Sequence, residues 1–206
     1  MNLDPNPDPM NLDKLPGVWR GRTPRRLSGE TVATGFDALD AALPGGGWPL
    51  GCVTEILSRR TGMGELSVLL PALARLSQEG RWVSWISPAH IPYAPALSAA
   101  GLRLSRMLLI HPPHIADRLW SAEQALRYGH GSVALIWLVH CHERAIRRLQ
   151  IAAAESGSWG ILLRPQRYAI VHSPAALRLI VEKHRDGFLD IDLLKCRGGR
   201  PVRLRA

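Results

Sequence analysis

Cysteine is scarce: the 206 residues hold three, Cys52, Cys141 and Cys196, widely spaced and without a Cys-x-x-Cys pair. That argues against a disulfide framework and for a reducing compartment, the cytoplasm. Long apolar runs are missing as well. The longest clean one, Val133 to Val139, is far short of the roughly 20 residues that span a bilayer, so no membrane partner is expected. No charged segment followed by an apolar one opens the sequence, which leaves no secretory signal to read. Familiar catalytic patterns are also lacking. There is no Gly-x-Ser-x-Gly elbow, no Cys/His nucleophile pattern and no pair of carboxylates at a catalytic spacing.

What the sequence does hold is enough for one domain with a well-formed core, at 46% hydrophobic residues. Its formal net charge of +9 is placed unevenly: residues 144–206 carry 13 Lys and Arg against 5 Asp and Glu. A positive C-terminal third can face nucleic acid or an acidic protein, or serve only as a solvated surface.

The chain falls into three parts. Residues 1–28 are rich in Pro, Asn, Asp and Arg without an apolar period, and are expected to be a disordered tail. Trp19, in Val18-Trp-Arg-Gly21, is a candidate docking residue within it. Residues 29–196 form the folded domain. Thr34 is placed to cap a short helix carrying Phe36, Leu39 and Leu43 on one face. Apolar strands at Gly51–Leu57, Trp82–Ser87, Met107–His111, Ser132–Val139 and Trp159–Arg164 alternate with helices at Glu65–Gln78, Pro92–Ala100, Ile115–Tyr128 and Glu143–Ser156. Such alternation indicates an α/β sandwich in which a mostly parallel sheet is covered on both faces. Leu177–His184 and Phe188–Cys196 read as a closing hairpin turned by Arg185-Asp-Gly187. Residues 197–206 are expected to be a flexible basic tail.

The most telling stretch joins the first core strand to the first long helix. Ser58-Arg59-Arg60-Thr61-Gly62-Met63-Gly64 is a glycine-containing turn set where a phosphate-binding loop would be. Such loops end in Gly-Lys-Ser/Thr. Here the ending is Gly64-Glu65-Leu66, with a carboxylate in place of the lysine and no hydroxyl for Mg²⁺. Arg59 and Arg60 remain as candidate anion holders.

Taken in order, Ala33-Thr-Gly-Phe-Asp-Ala-Leu-Asp40, Gly45-Gly-Gly-Trp-Pro-Leu-Gly51 and Thr54-Glu-Ile-Leu57 resemble the entry into the RecA ATPase core. Gly64-Glu-Leu66, Leu70-Pro-Ala-Leu-Ala74, Tyr93-Ala-Pro95, Arg147-Arg-Leu-Gln150, Leu163-Arg-Pro165 and Ser173-Pro-Ala-Ala-Leu-Arg-Leu179 resemble ImuA, a RecA-like accessory protein of bacterial mutagenesis cassettes. Residues 66–165 also resemble the division inhibitor SulA, notably Leu69-Leu-Pro, Arg81-Trp, Ala125-Leu-Arg and Ile136-Trp-Leu. The resemblance implies a RecA-like three-layer sandwich of the ImuA/SulA superfamily. By alignment with RecA, the general-base position falls on Ala89 and the Mg²⁺-supporting position on Trp137. Neither side chain can do those tasks, so the expectation is a protein that is no enzyme and needs no cofactor.

The function implied first is ImuA-type: an accessory factor of SOS-induced translesion synthesis that binds RecA, the ImuB adaptor and an error-prone polymerase. Two alternatives stay open, a SulA-like inhibitor that sequesters FtsZ and a weak nucleotide-dependent DNA-binding RecA paralogue. Candidates for partner contact, or for non-specific DNA contact, are Arg144, Arg147 and Arg148 on one helix and Lys195, Arg197, Arg200, Arg203 and Arg205 at the C-terminus. His140-Cys141-His142 invites a metal reading, but no complementary cluster stands elsewhere, and a polar loop is the expectation.

Overall fold

The computed structural model describes residues 29–206 apart from 61 and 63. The tail 1–28 with Trp19, and the loop residues Thr61 and Met63, lie outside the described residues. A two-residue strand β1 (Thr31–Val32) precedes helix α1 (Asp37–Ala42) and pairs antiparallel with β2 (Trp48–Pro49). Thr34 does not cap α1. The capping position is Phe36; Thr34 Oγ1 accepts the Phe36 N–H, while the Thr34 N–H donates to Asp40.

The main body follows as β3 (Val53–Ser58), α2 (Leu70–Gln78), β4 (Val83–Ile86), α3 (Ala94–Ala99), β5 (Met107–Ile110), α4 (Ile115–Tyr128), β6 (Val133–Trp137), α5 (Glu143–Ser156) and β7 (Trp159–Pro165). Three strands end the chain: β8 (Leu177–Lys183), β9 (Leu189–Cys196) and β10 (Val202–Arg205). They form one eight-stranded mixed sheet in the order β10-β9-β8-β3-β7-β6-β4-β5. From β5 through β8 every neighbour is parallel, whereas β9 and β10 run antiparallel.

Alternation along each strand sorts the core into two layers, as a pleated strand must. In β6, Val133 and Leu135 join a cluster with Leu69, Leu73 and Trp85, while Ala134 and Ile136 join a second with Leu126, Ile146 and Leu149. Helix α2 therefore covers one face, and α4 and α5 the other. The buried strands are nearly continuous apolar runs because helices press on both sides.

Two sequence expectations change. Regular helix begins at Leu70 rather than Glu65, since residues 66–69 wind as turns whose Leu70 N–H reaches Leu66 O at 2.8 Å. Pro71 sits in the first helical turn, where a missing N–H is harmless and a fixed φ helps. The expected flexible tail at 197–206 instead contains β10, in register with β9. Leu204 packs against the core while Arg203 and Arg205 face acidic partners on β9, an alternation that fits an edge strand. Among the described residues no helix is long and apolar enough to cross a membrane.

Candidate functional site

The C-terminal ends of the parallel strands open into a cleft of about 640 Å³, lined among others by Ser58, Arg59, Arg60, Glu65, Ala89 and Trp137. The three positions singled out by the ATPase comparison thus do meet in space. Arg59 and Arg60 are exposed at the rim, and Arg59 Nε lies 3.6 Å from the Glu182 carboxylate. Glu65 behaves differently. It is only 3% exposed, because its side chain turns back beneath the loop and accepts the Gly62 N–H. Gly64 holds that shape: its φ is +107°, and a Cβ there would come within 2.9 Å of Leu189 and Lys183, so only glycine fits. Leu66 packs against the core. Trp137 stacks on Trp85, with ring centroids 5.3 Å apart.

Under the same edge lies a buried charge cluster. Glu55 of β3 is fully buried between Arg164 of β7 and Arg178 of β8. Arg164 Nη1 donates to Glu55 Oε1 at 2.6 Å, and Arg178 Nε donates to Oε2. Further Nη hydrogens reach loop carbonyls, Arg164 to Cys141 O at 3.3 Å, and Arg178 to Tyr168 O at 2.8 Å and Ala169 O at 3.4 Å, while Arg164 Nε is buried without a partner among the described residues. Arg164 also lies 4.0 Å from the centre of the Tyr168 ring, a cation–π distance. The triad so fixes the two loops that follow β6 and β7. Sequence reading missed this pairing. The signal was there, as Glu55, Arg164 and Arg178 each set among apolar residues of a strand, since a buried charge requires a partner.

His140 uses Nδ1 to meet Tyr168 Oη at 2.9 Å, and Glu143 lies 3.2 Å from Arg147 and 3.4 Å from His172. Burial pushes the Cys141 thiol up to about 11 against the opposing field of Arg164, so it is a poor thiolate donor. Among the described residues no three His, Cys, Asp or Glu side chains stand close enough to hold a metal.

The basic candidates are not one surface. Arg147 pairs with Glu143 and Arg148 with Glu123. Arg203 pairs with Asp192 and Arg205 with Asp190, at 2.8 and 2.9 Å. Lys195 is half-buried and donates to Ser173 O at 2.9 Å; burial, with Arg178 nearby, lowers its pKa. Arg144, Arg197 and Arg200 have no ion pair among the described residues. The α5 arginines share one shallow surface, while Lys195, Arg203 and Arg205 belong to the β9–β10 edge.

Around the cleft the loops after the parallel strands expose apolar side chains. Ile91 is 85% exposed, Tyr93 72% and Ile170 94%, and Ile115 and Val139, also exposed, line the cleft itself. Exposed apolar side chains near a cleft lined by Arg59, Arg60, Arg118 and Arg167 have the character of a protein-docking surface.

Comparison with known proteins fits this description. The model of the family described as cell division inhibitor SulA matches residues 51–160, the segment from β3 to the start of β7. SulA of Edwardsiella piscicida is 37% identical over 102 residues, covering 49% of this chain and 61% of that protein. SulA of Klebsiella aerogenes is 33% identical over 119 residues, covering 57% and 70%. SulA of Serratia marcescens is 28% identical over 117 residues, with the same coverage of 57% and 70%. The chain thus spans less than two thirds of the Edwardsiella relative it matches. These likenesses overturn the translesion reading and its partners RecA, ImuB and error-prone polymerase, because the matched proteins are named as division inhibitors. The motifs that suggested it bear on the fold, and a fold does not fix the partner. With more than half of its residues matched, from β3 to the start of β7, the chain belongs to the SulA family.

Proposed function

We propose that this protein is a cytoplasmic inhibitor of cell division, made as part of the SOS response, that acts by binding FtsZ. The observation that carries the reading is the C-terminal edge of the sheet. The family-matched segment builds it, and it presents Ile91, Tyr93, Ile115 and Val139 to solvent. Apolar and aromatic side chains at a well-ordered rim are the anchors that protein interfaces use. We take the fold to be a RecA-like sandwich of the ImuA/SulA superfamily, a reading supported by the strand–glycine loop–helix unit of β3 and α2 beside parallel crossovers. On the same reading the protein is a binding module and not an ATPase, since Glu65, Ala89 and Trp137 stand where phosphoryl transfer needs a cation, a base and a carboxylate.

Expression of the chain in growing bacteria tests this directly. Filamentation is expected, together with retention of purified FtsZ on the immobilised protein. The double variant Ile91→Asp, Tyr93→Asp should lose both while melting at the same temperature, because exposed substitutions rarely shift stability by more than about 0.5 kcal/mol. Filaments without FtsZ retention, or retention untouched by the double variant, would sink the proposal.

A further inference from the structure

We infer that the cleft at the C-terminal edge of the sheet is a socket for an acidic segment of the protein partner. The inference rests on the reading of that edge as the docking surface, and names the chemistry that enters it. Arg59, Arg60, Arg118, Arg167, His111 and His140 line the cleft. Among the described lining residues Glu65 is the one acidic side chain. Arg59 is paired with Glu182 at 3.6 Å, and Glu65 can offset one more arginine, so the excess stays positive. Clefts of one sign with low-dielectric walls concentrate the opposite charge.

Two arginines are set in place for such a ligand. Arg118 Nε donates to Pro112 O at 3.3 Å, and the Arg167 guanidinium lies 5.3 Å from the centre of the Tyr168 ring. Neither has an ion pair among the described residues, which leaves their Nη hydrogens for a carboxylate. Ser87 adds an independent sign. It ends β4 on the cleft lining with φ +51°, a conformation that favours glycine, and its Oγ is buried without a partner among the described residues. Backbone strain and orphaned polar atoms gather where a ligand completes a site. A small anion would leave Ile91, Tyr93, Ile115 and Val139 in water, whereas a polypeptide covers them while its carboxylates enter the cleft. A second copy of this chain fits poorly, since its net charge of +9 brings like charge to the arginines.

Calorimetric titration of the full chain with a synthetic hexaglutamate peptide, and surface plasmon resonance with purified FtsZ, test the inference separately. Arg118→Glu with Arg167→Glu should weaken both interactions at least tenfold at low salt. Arg118→Gln with Arg167→Gln should fall between, and decides the matter if the reversed pair does not fold. Association of FtsZ with the unaltered protein should slow at least tenfold between about 0.01 and 0.15 M salt, as the Debye length shrinks from about 30 to about 8 Å. Arg197→Glu with Arg200→Glu makes the same change of charge in the turn between β9 and β10, at the opposite end of the sheet, and should weaken neither interaction. Equal loss in the two reversed pairs, or tighter capture of sodium pyrophosphate than of the peptide, overturns the inference. FtsZ binding that neither salt nor the Arg118 and Arg167 variants alter also overturns it, and leaves the docking reading standing. Peptide capture without FtsZ binding does the reverse.

Discussion

Replacing Glu55 by glutamine removes the single carboxylate that two buried arginines share. At 2.6 Å and an effective dielectric near 20, one such contact has a gross Coulomb energy of about 6 kcal/mol. Desolvating the three charges consumes much of it. The relevant quantity is what remains after the change: two guanidinium groups, with side chains 3% and 7% exposed, left without a counter-charge. Breaking a buried pair in this way costs about 3–5 kcal/mol, which for a domain of this size lowers the melting temperature by roughly 10 °C. Chemical and thermal denaturation followed by circular dichroism measures it. A loss under about 1 kcal/mol would refute the reasoning and mean that water reaches the triad. A companion variant separates stability from positioning. Methionine at 55, 164 and 178 together should recover most of the stability, since apolar replacement of a buried ion cluster is often neutral or better. It should not recover FtsZ binding, because the carbonyls of Cys141, Tyr168 and Ala169 lose the donors that hold their loops.

Cysteine chemistry gives a second test. Burial raises the thiols of Cys52 to about 12 and of Cys141 and Cys196 to about 11. A rise of two units leaves about a hundredfold less thiolate at pH 8, so native labelling by a disulfide reagent should be slow at all three and become fast in denaturant. At the sheet edge, the hydrogen bond from Arg205 holds the Asp190 carboxyl below its ordinary value of 3.8. Its contribution is full above that value and is lost as the pH falls through the lowered one. The protection of the amides at residues 202–205, with the intrinsic exchange rate at each pH divided out, should therefore fall in acid, and Arg205→Glu should lower it at neutral pH. Trp159→Phe deletes the buried Nε1–H donor to Thr54 Oγ1, 3.0 Å away. A loss of about 1–3 kcal/mol is expected by denaturant titration.

The sequence carried the architecture because its signals were local. Val133-Ala-Leu-Ile136 can be little other than a buried strand, and α5 runs from Glu143 to Ser156 as its period requires. Pro71 masked the true start of α2, because a helical period begins at Glu65 but regular hydrogen bonding does not. The strand β10 was hidden for a different reason. Val202-Arg-Leu-Arg205 is too short and too basic to read alone, and acquires meaning only beside Asp190 and Asp192. At the site, Glu65, Ala89 and Trp137 were legible as departures from a known loop. The inward turn of Glu65 was not, since it depends on Gly64 meeting strands more than 100 residues downstream. The partner was misread because short motifs describe a scaffold, whereas partner choice is a property of the surface, which short motifs do not spell out.

The strand β3 is flanked by β7 and β8, and the bond from Arg164 to Glu55 closes a span of 109 residues. During synthesis, then, the first core strand leaves the ribosome with both its edges bare and its acidic side chain unneutralised. It stays so until β7 and β8 have followed. No amino-terminal portion can complete itself early. A product stopped after α5 would carry β3 with open strand borders, the kind of surface on which unpaired strands invite other chains.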